Sequence, residues 1–72
     1  MTDLGKYLEK KSVKKADISR KTGISASRLS ELSRNDSAHL KAKELYLISL
    51  AIDVTASDIL LSLYGHLKEV SK

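Results

Sequence analysis

The chain has no cysteine, no proline, no tryptophan and no phenylalanine, and only three glycines and three tyrosines in 72 residues. Without cysteine there is no disulfide framework and no thiolate metal site, which fits a reducing compartment. Without proline, and with few glycines, obligatory breaks are rare and regular elements with short connections are expected. With aromatics at only 4%, the core has to be built from aliphatic side chains. No long apolar run occurs either. The most apolar stretch, Leu45 to Tyr64, is interrupted by Asp53 and Asp58 and is not a membrane span. The start of the chain, MTDLGKYLEKK, has no apolar h-region and does not read as a signal peptide. Gly-rich phosphate loops, internal repeats and low-complexity segments are also missing. His39 and His66 have no metal-ligand spacing with each other, and the polar-flanked His39 reads as a surface residue. A short helical chain offers no cleft for a Ser-His-Asp arrangement. No enzyme activity, metal, cofactor or small-molecule ligand is therefore expected.

What remains is rich in Val, Ile, Leu, Ala, Lys, Glu and Ser, with 42% hydrophobic residues. That composition favours one all-α domain and argues against disorder. A domain of this length buries only about 60% of its unfolded surface, so its core is marginal. Net charge is +4 with a pI of about 9.5, and it is unevenly placed. Residues 1–36 hold nine basic and five acidic side chains, whereas residues 37–72 hold four of each. The first half alone would attract an anionic partner.

The chain is organised around Lys14 to Arg34, KKADISRKTGISASRLSELSR. It reads as two short helices joined by a tight turn. Ile18 points inward from the first helix, and Gly23 can take the positive φ that turns a chain out of a helix. Ile24 anchors the turn. Ser25 stands where an N-cap would open the second helix, about Ala26 to Arg34. Leu29 and Leu32 share one face of that helix by their i, i+3 spacing. Ala26, Ser27, Ser30 and Glu31 form a small, polar opposite face that allows close approach to another surface. Helix, Gly-containing turn, helix is the pattern of a helix-turn-helix, whose second helix can enter the DNA major groove.

This stretch resembles the phage Cro/repressor-like (XRE) family of helix-turn-helix DNA-binding proteins. The matching residues are Ile18-Ser19, Thr22-Gly23-Ile24-Ser25, Leu29 and Leu32. Downstream, Ile48-Ser49-Leu50-Ala51-Ile52-Asp53-Val54 and Ser57-Asp58-Ile59-Leu60 resemble the family's fourth helix and the start of its fifth. The likeness covers roughly residues 4 to 61. It implies an all-α, compact five-helix bundle of the lambda-repressor-like DNA-binding type, spanning residues 1–72 as a single domain. The helix-turn-helix would occupy about 14–34 and a dimerisation segment about 56–67. By position it implies base contacts from Ala26, Ser27 and Glu31, with Ser30 nearby. Ala26 suits a thymine methyl, Ser27 several bases, and Glu31 cytosine N4. Lys15, Ser25, Arg28, Arg34, Lys41 and Lys43 are expected at phosphates, with Arg28 also able to reach a guanine edge. None of the base-facing residues is an Arg or Gln suited to a bidentate read, so modest sequence readout is expected.

The flanking segments complete the picture. Leu4, Tyr7 and Leu8 mark a core stripe on a first helix opened by Thr2 and Asp3. Val13 is expected to pack inward. Lys14 stands where the family has a cap, so Ser12 takes over that role or the helix end is looser. Ser19 should bond back to a backbone carbonyl. Asn35 should end the recognition helix in a left-handed cap. Leu40 anchors the following loop. A fourth helix, about Ala42 to Ile52, carries Leu45, Ile48 and Ile52 inward, and Asp53 should turn left-handed. Thr55 to Asp58 has the form of a capping box. The fifth helix should run to about Leu67, with Ile59, Leu60 and Leu63 in the core. Leu61, Tyr64 and Leu67 are left without partners and mark a candidate dimer interface. Residues 68–72 are expected to fray.

The resulting expectation is a sequence-preferring double-stranded DNA-binding protein. It would act as a homodimeric transcriptional regulator in a bacterial or phage cytoplasm, associated with the nucleoid. The alternative is a protein-interaction module of the same fold, antitoxin-like or an adaptor, that binds DNA weakly or not at all.

Overall fold

The computed structural model describes residues 1–67. Five α-helices occupy them: α1 Asp3–Lys10, α2 Lys15–Thr22, α3 Ala26–Arg34, α4 Ala42–Ala51 and α5 Ala56–Tyr64. Residues 68–72, expected to fray, lie outside the described residues.

α1 starts at Thr2, whose hydroxyl accepts the Gly5 N–H at 3.0 Å and donates to the Leu32 carbonyl at 2.7 Å. The Thr2 N–H also donates to the Ser33 carbonyl at 2.9 Å. The start of α1 is thereby fixed to the end of α3. Leu4, Tyr7 and Leu8 are buried as their spacing predicts, and α1 packs on α3 and α5. Gly5 is buried on the same side, where a methyl group would meet the Ser33 backbone.

Ser12 has a φ of 58° and lies in the turn after α1. It does not cap α2. Lys14 takes that position without a side-chain bond, so this helix end is the looser of the two options. α2 ends at Gly23, with φ 81°. The bond back to a helix carbonyl is made by Thr22, rather than by Ser19 as expected. Its hydroxyl donates to the Ile18 carbonyl at 2.7 Å and accepts the Ile24 N–H at 3.1 Å, tying the turn together.

Ser25 opens α3 as expected, accepting the Arg28 N–H at 3.0 Å. α3 ends differently from the expectation. Asn35 is extended (φ −105°, ψ 109°), not left-handed, and its side-chain oxygen accepts the Ser37 N–H at 2.8 Å. That side-chain turn redirects the chain without a positive φ.

α4 stops at Ala51, and Asp53 takes the left-handed turn (φ 58°) that its position suggested. Thr55 caps α5, accepting the Asp58 N–H at 3.1 Å. The reciprocal half of the capping box is replaced, because the Asp58 carboxylate instead accepts the Tyr7 hydroxyl. α5 ends at Tyr64 rather than near Leu67. Its buried positions are Ile59 and Leu63, at i, i+4. Leu60 was expected in the core but is 45% exposed. It is one residue past Ile59, and so is rotated about 100° off the buried face.

The core is Leu4, Tyr7, Leu8, Ile18, Leu29, Leu32, Leu45, Ile48, Ile59 and Leu63. Val13, Ile24 and Leu40 pack against it as expected. Among the described residues Ser33 and Ser49 are the buried polar ones, and their hydroxyls donate to the Leu29 and Tyr46 carbonyls. Among the described residues no single helix is long and apolar enough to cross a membrane.

Candidate nucleic-acid interface

α2 and α3 form a helix-turn-helix whose turn, Gly23 to Ser25, is held by Thr22 and closed over Ile24. Leu29 is fully buried and Leu32 nearly so, which fixes the rotation of α3 about its axis. Ser25, Ala26, Ser27, Glu31 and Arg34 are exposed on the opposite side, with Ser30 half-buried between them. Apart from Glu31 and Arg34 these are short side chains, so the backbone of α3 can approach a partner surface closely.

The cations around α3 fall into two groups. Lys15 and Arg34, together with Val13, Ser33 and Glu9, line one shallow groove beside the end of α3. Lys41 and Lys43 are exposed at the start of α4. Elsewhere on α2, Arg20 pairs with Asp17 at 3.0 Å and Lys21 donates to the Ala51 carbonyl at 3.4 Å.

Arg28 stands apart from both groups. Its Nε donates to Glu44 Oε2 at 2.9 Å and its Nη2 to Glu44 Oε1 at 3.1 Å, a two-pronged fork. Nη2 also donates to the His39 carbonyl at 2.7 Å, and Nη1 donates to Glu31 Oε1 at 2.8 Å. Four of the five N–H groups a guanidinium carries are thereby used within the chain. The hydrogen bonds it donates to Glu44 and then to Glu31 hold the guanidinium firmly charged, against the smaller opposing effect of burial. The bond from Arg28 in turn holds the Glu44 carboxyl below the usual carboxylate range, outweighing its partial burial, and the Lys41 N–H adds to this at 2.9 Å. A lysine ammonium has no lone pair to accept a hydrogen bond, so only the Glu44 half of a capping box exists at this helix start.

Among the described residues no Cα of α3 lies within 8 Å of a Cα of α4. The Arg28–Glu44 fork is therefore a bridge made by long side chains between two helices whose backbones are not in close contact. Glu44 is the member that the residue pattern alone did not single out. The available signal was an acidic residue at the third position of a helix opened by lysines, where it can reach back to the first free N–H.

On and just after α5, Leu61, Tyr64 and Leu67 are 69%, 52% and 62% exposed, and Tyr64 shares a groove with Leu32, Asp36 and Leu40 beside the end of α3. Tyr46 and Leu50 add further exposed apolar surface on α4. No group of three or more His, Cys, Asp or Glu able to hold a metal ion occurs among the described residues.

A bundle of five helices with this turn, and with a small-residue second helix facing outward, is a helix-turn-helix DNA-binding fold. A family model, that of the Cro/C1-type HTH DNA-binding domain, matches residues 3–61, and the chain belongs to that family. No curated protein and no solved structure matches it.

Proposed function

We propose that the protein binds double-stranded DNA with a sequence preference and regulates transcription as a homodimer. The observation that carries this reading is the exposed, small-residue face of α3 set between two groups of cations, on a chain of the Cro/C1-type family. α3 lies in the major groove, with Ala26, Ser27, Ser30 and Glu31 at base edges. Lys15 and Arg34 reach phosphates on one side, and Lys41 and Lys43 reach them on the other. The Ser25 region, whose N–H groups open α3, lies against the backbone. Leu61, Tyr64 and Leu67 join two copies, which places half-sites about one helical turn, ~34 Å, apart.

The test is selection of bound duplexes from a random pool, followed by affinity measured at several salt concentrations. An enriched inverted repeat of one-turn spacing supports the reading. Lys15→Ala should flatten the salt dependence by roughly 0.9 in logarithmic slope, the value for one lost phosphate contact. Absence of binding at low salt would sink the DNA reading and favour the protein-interaction module, for which the exposed apolar residues of α5 speak.

A further inference from the structure

Arg28 lies in the first turn of the recognition helix, where a cation is usually read as a DNA contact. Its bonding points to another role. Among the described residues the guanidinium has a single N–H left, and that one is on Nη1. A bidentate grip on guanine O6 and N7 needs two adjacent donors; taking Nε and Nη2 would strand the Glu44 carboxylate, only 14% exposed, and taking Nη2 and Nη1 would release the His39 carbonyl. The Arg28 side chain is itself only 25% exposed. What it does present outward is Glu31. Nη1 holds Oε1 of Glu31 at 2.8 Å, and the Glu31 side chain is 48% exposed.

We infer that Arg28 is a positioning residue, braced on Glu44 and the His39 carbonyl, that fixes Glu31 on α3 as a hydrogen-bond acceptor selecting a base pair with an amino donor in the major groove, cytosine foremost. This rests on the proposal that α3 enters that groove. A carboxylate accepts from cytosine N4 and is repelled by the O6 and N7 acceptors of guanine, so the selection works by exclusion as well as by attraction. A glutamate on an exposed helix face ordinarily loses rotamer freedom when it meets a base. Here the salt bridge to Arg28 has already reduced that freedom, so less is lost on binding. The same bridge places a positive charge beside the carboxylate, which lowers the cost of bringing it near phosphates. Because Arg28 is held through Glu44 on α4, the setting of Glu31 depends on a helix that contributes nothing to the reading face itself.

The test uses the full chain and a randomised duplex pool, with wild-type, Glu31→Ala, Glu44→Gln, Arg28→Lys and Arg28→Ala proteins selected in parallel. Each is also titrated at several salt concentrations, and its folding is checked by thermal melting. Wild type should enrich cytosine at one position of each half-site, by about tenfold. Glu31→Ala, an exposed change that leaves the core intact, should erase that preference and no other, with an unchanged salt slope. Arg28→Lys keeps a charge but cannot fork, and Glu44→Gln removes the brace. Both should weaken the preference at that same position while leaving the salt slope intact. A merely structural role for Arg28 would instead lower affinity evenly over all positions. The inference is overturned if Glu31→Ala keeps the cytosine preference, or if Arg28→Lys changes the preference at a different position. Equally decisive is Arg28→Ala flattening the salt slope by roughly 0.9, the mark of a direct phosphate contact. A wild-type protein that binds DNA without enriching any sequence overturns this inference together with sequence preference, whereas an enriched site that lacks the cytosine overturns this inference alone.

Discussion

Gly5 of α1 lies directly against the backbone carbonyl of Ser33 at the end of α3, with the Met1 side chain on its other flank. The approach is close because Thr2 donates both its N–H and its hydroxyl to the last carbonyls of α3. A methyl group at Gly5 would stand 2.7 Å from Met1 Cγ, which can move, and closer still to the Ser33 backbone, which cannot. Alanine in a helix interior normally gains about 0.5–1 kcal/mol over glycine. Here the overpacking, about 1–3 kcal/mol, outweighs that gain. Gly5→Ala should therefore lower the urea midpoint, by a net loss of about 1–2 kcal/mol. A variant as stable as wild type would show that α1 can slide away from α3 at no cost.

The Arg28–Glu44 bridge gives stability a defined acid dependence. Arg28 holds the folded-state carboxyl of Glu44 below its ordinary value. A depressed carboxylate stabilises the fold fully above the unfolded value, about 4.3, and loses that contribution as pH falls through the lower folded value. Melting temperatures of wild type and Glu44→Gln should thus differ most near neutral pH and converge as the solution is taken well below pH ~4. A difference that stays constant into acid would mean that the bridge is not formed in solution.

The Tyr7 hydroxyl reaches from α1 to Asp58 on α5, and Lys11 stands 4.0 Å from the same carboxylate and 5.5 Å over the Tyr7 ring. Burial, and then the hydrogen bond to Asp58, push the Tyr7 phenol up to about 12. A raised value favours the protonated form. Its stabilisation is whole below the ordinary value, about 10, and disappears as pH rises through about 12. One of the three tyrosines should therefore ionise late in a phenolate absorbance titration, and Tyr7→Phe should remove that late step. The same variant should cost about 1.5 kcal/mol at neutral pH, the low end for a bond to a charged acceptor because Asp58 is half in water. A Tyr7→Phe curve that keeps the late step and loses an earlier one would rule out the assignment.

Where the chain's own local chemistry decides the structure, the residue pattern was readable. Gly23 turns α2 because a positive φ is open to it, Ser25 caps α3 through its own hydroxyl, and Asp53 turns left-handed after α4. Leu29 and Leu32 reveal the buried side of α3 by spacing alone. What was not readable depends on residues far apart in sequence. Asp58 could complete its own capping box, yet it takes Tyr7, 51 residues away. Arg28 reads as a free cation until Glu44, 16 residues on, is folded against it. Asn35 had two ways to end α3, and the bond from Ser37 selects the extended one. Leu60 reads as core by composition, but the rotation of α5 is set by Ile59 and Leu63 together.

That rotation separates two neighbouring leucines into opposite predictions. Leu63 is 5% exposed, inside the core, whereas Leu61 is 69% exposed, on the face proposed to join two copies. Leu63→Ala leaves a cavity and should cost about 2–5 kcal/mol, a large share of what a domain this small can have. Leu61→Glu changes a residue that is mostly in water, so the monomer should melt close to wild type at low concentration. If α5 forms the dimer interface, a buried charge on each copy should shift sedimentation from dimer to monomer. Wild type should then melt at a temperature that rises with protein concentration, and Leu61→Glu should not. DNA binding should separate in the same way. The variant should keep its affinity for an isolated half-site and lose the extra affinity of the paired one, because the second contact is no longer intramolecular. Sedimentation of both proteins as monomers at concentrations that saturate paired sites would show that each half-site is bound by an independent monomer, and that the exposed face of α5 serves some other contact.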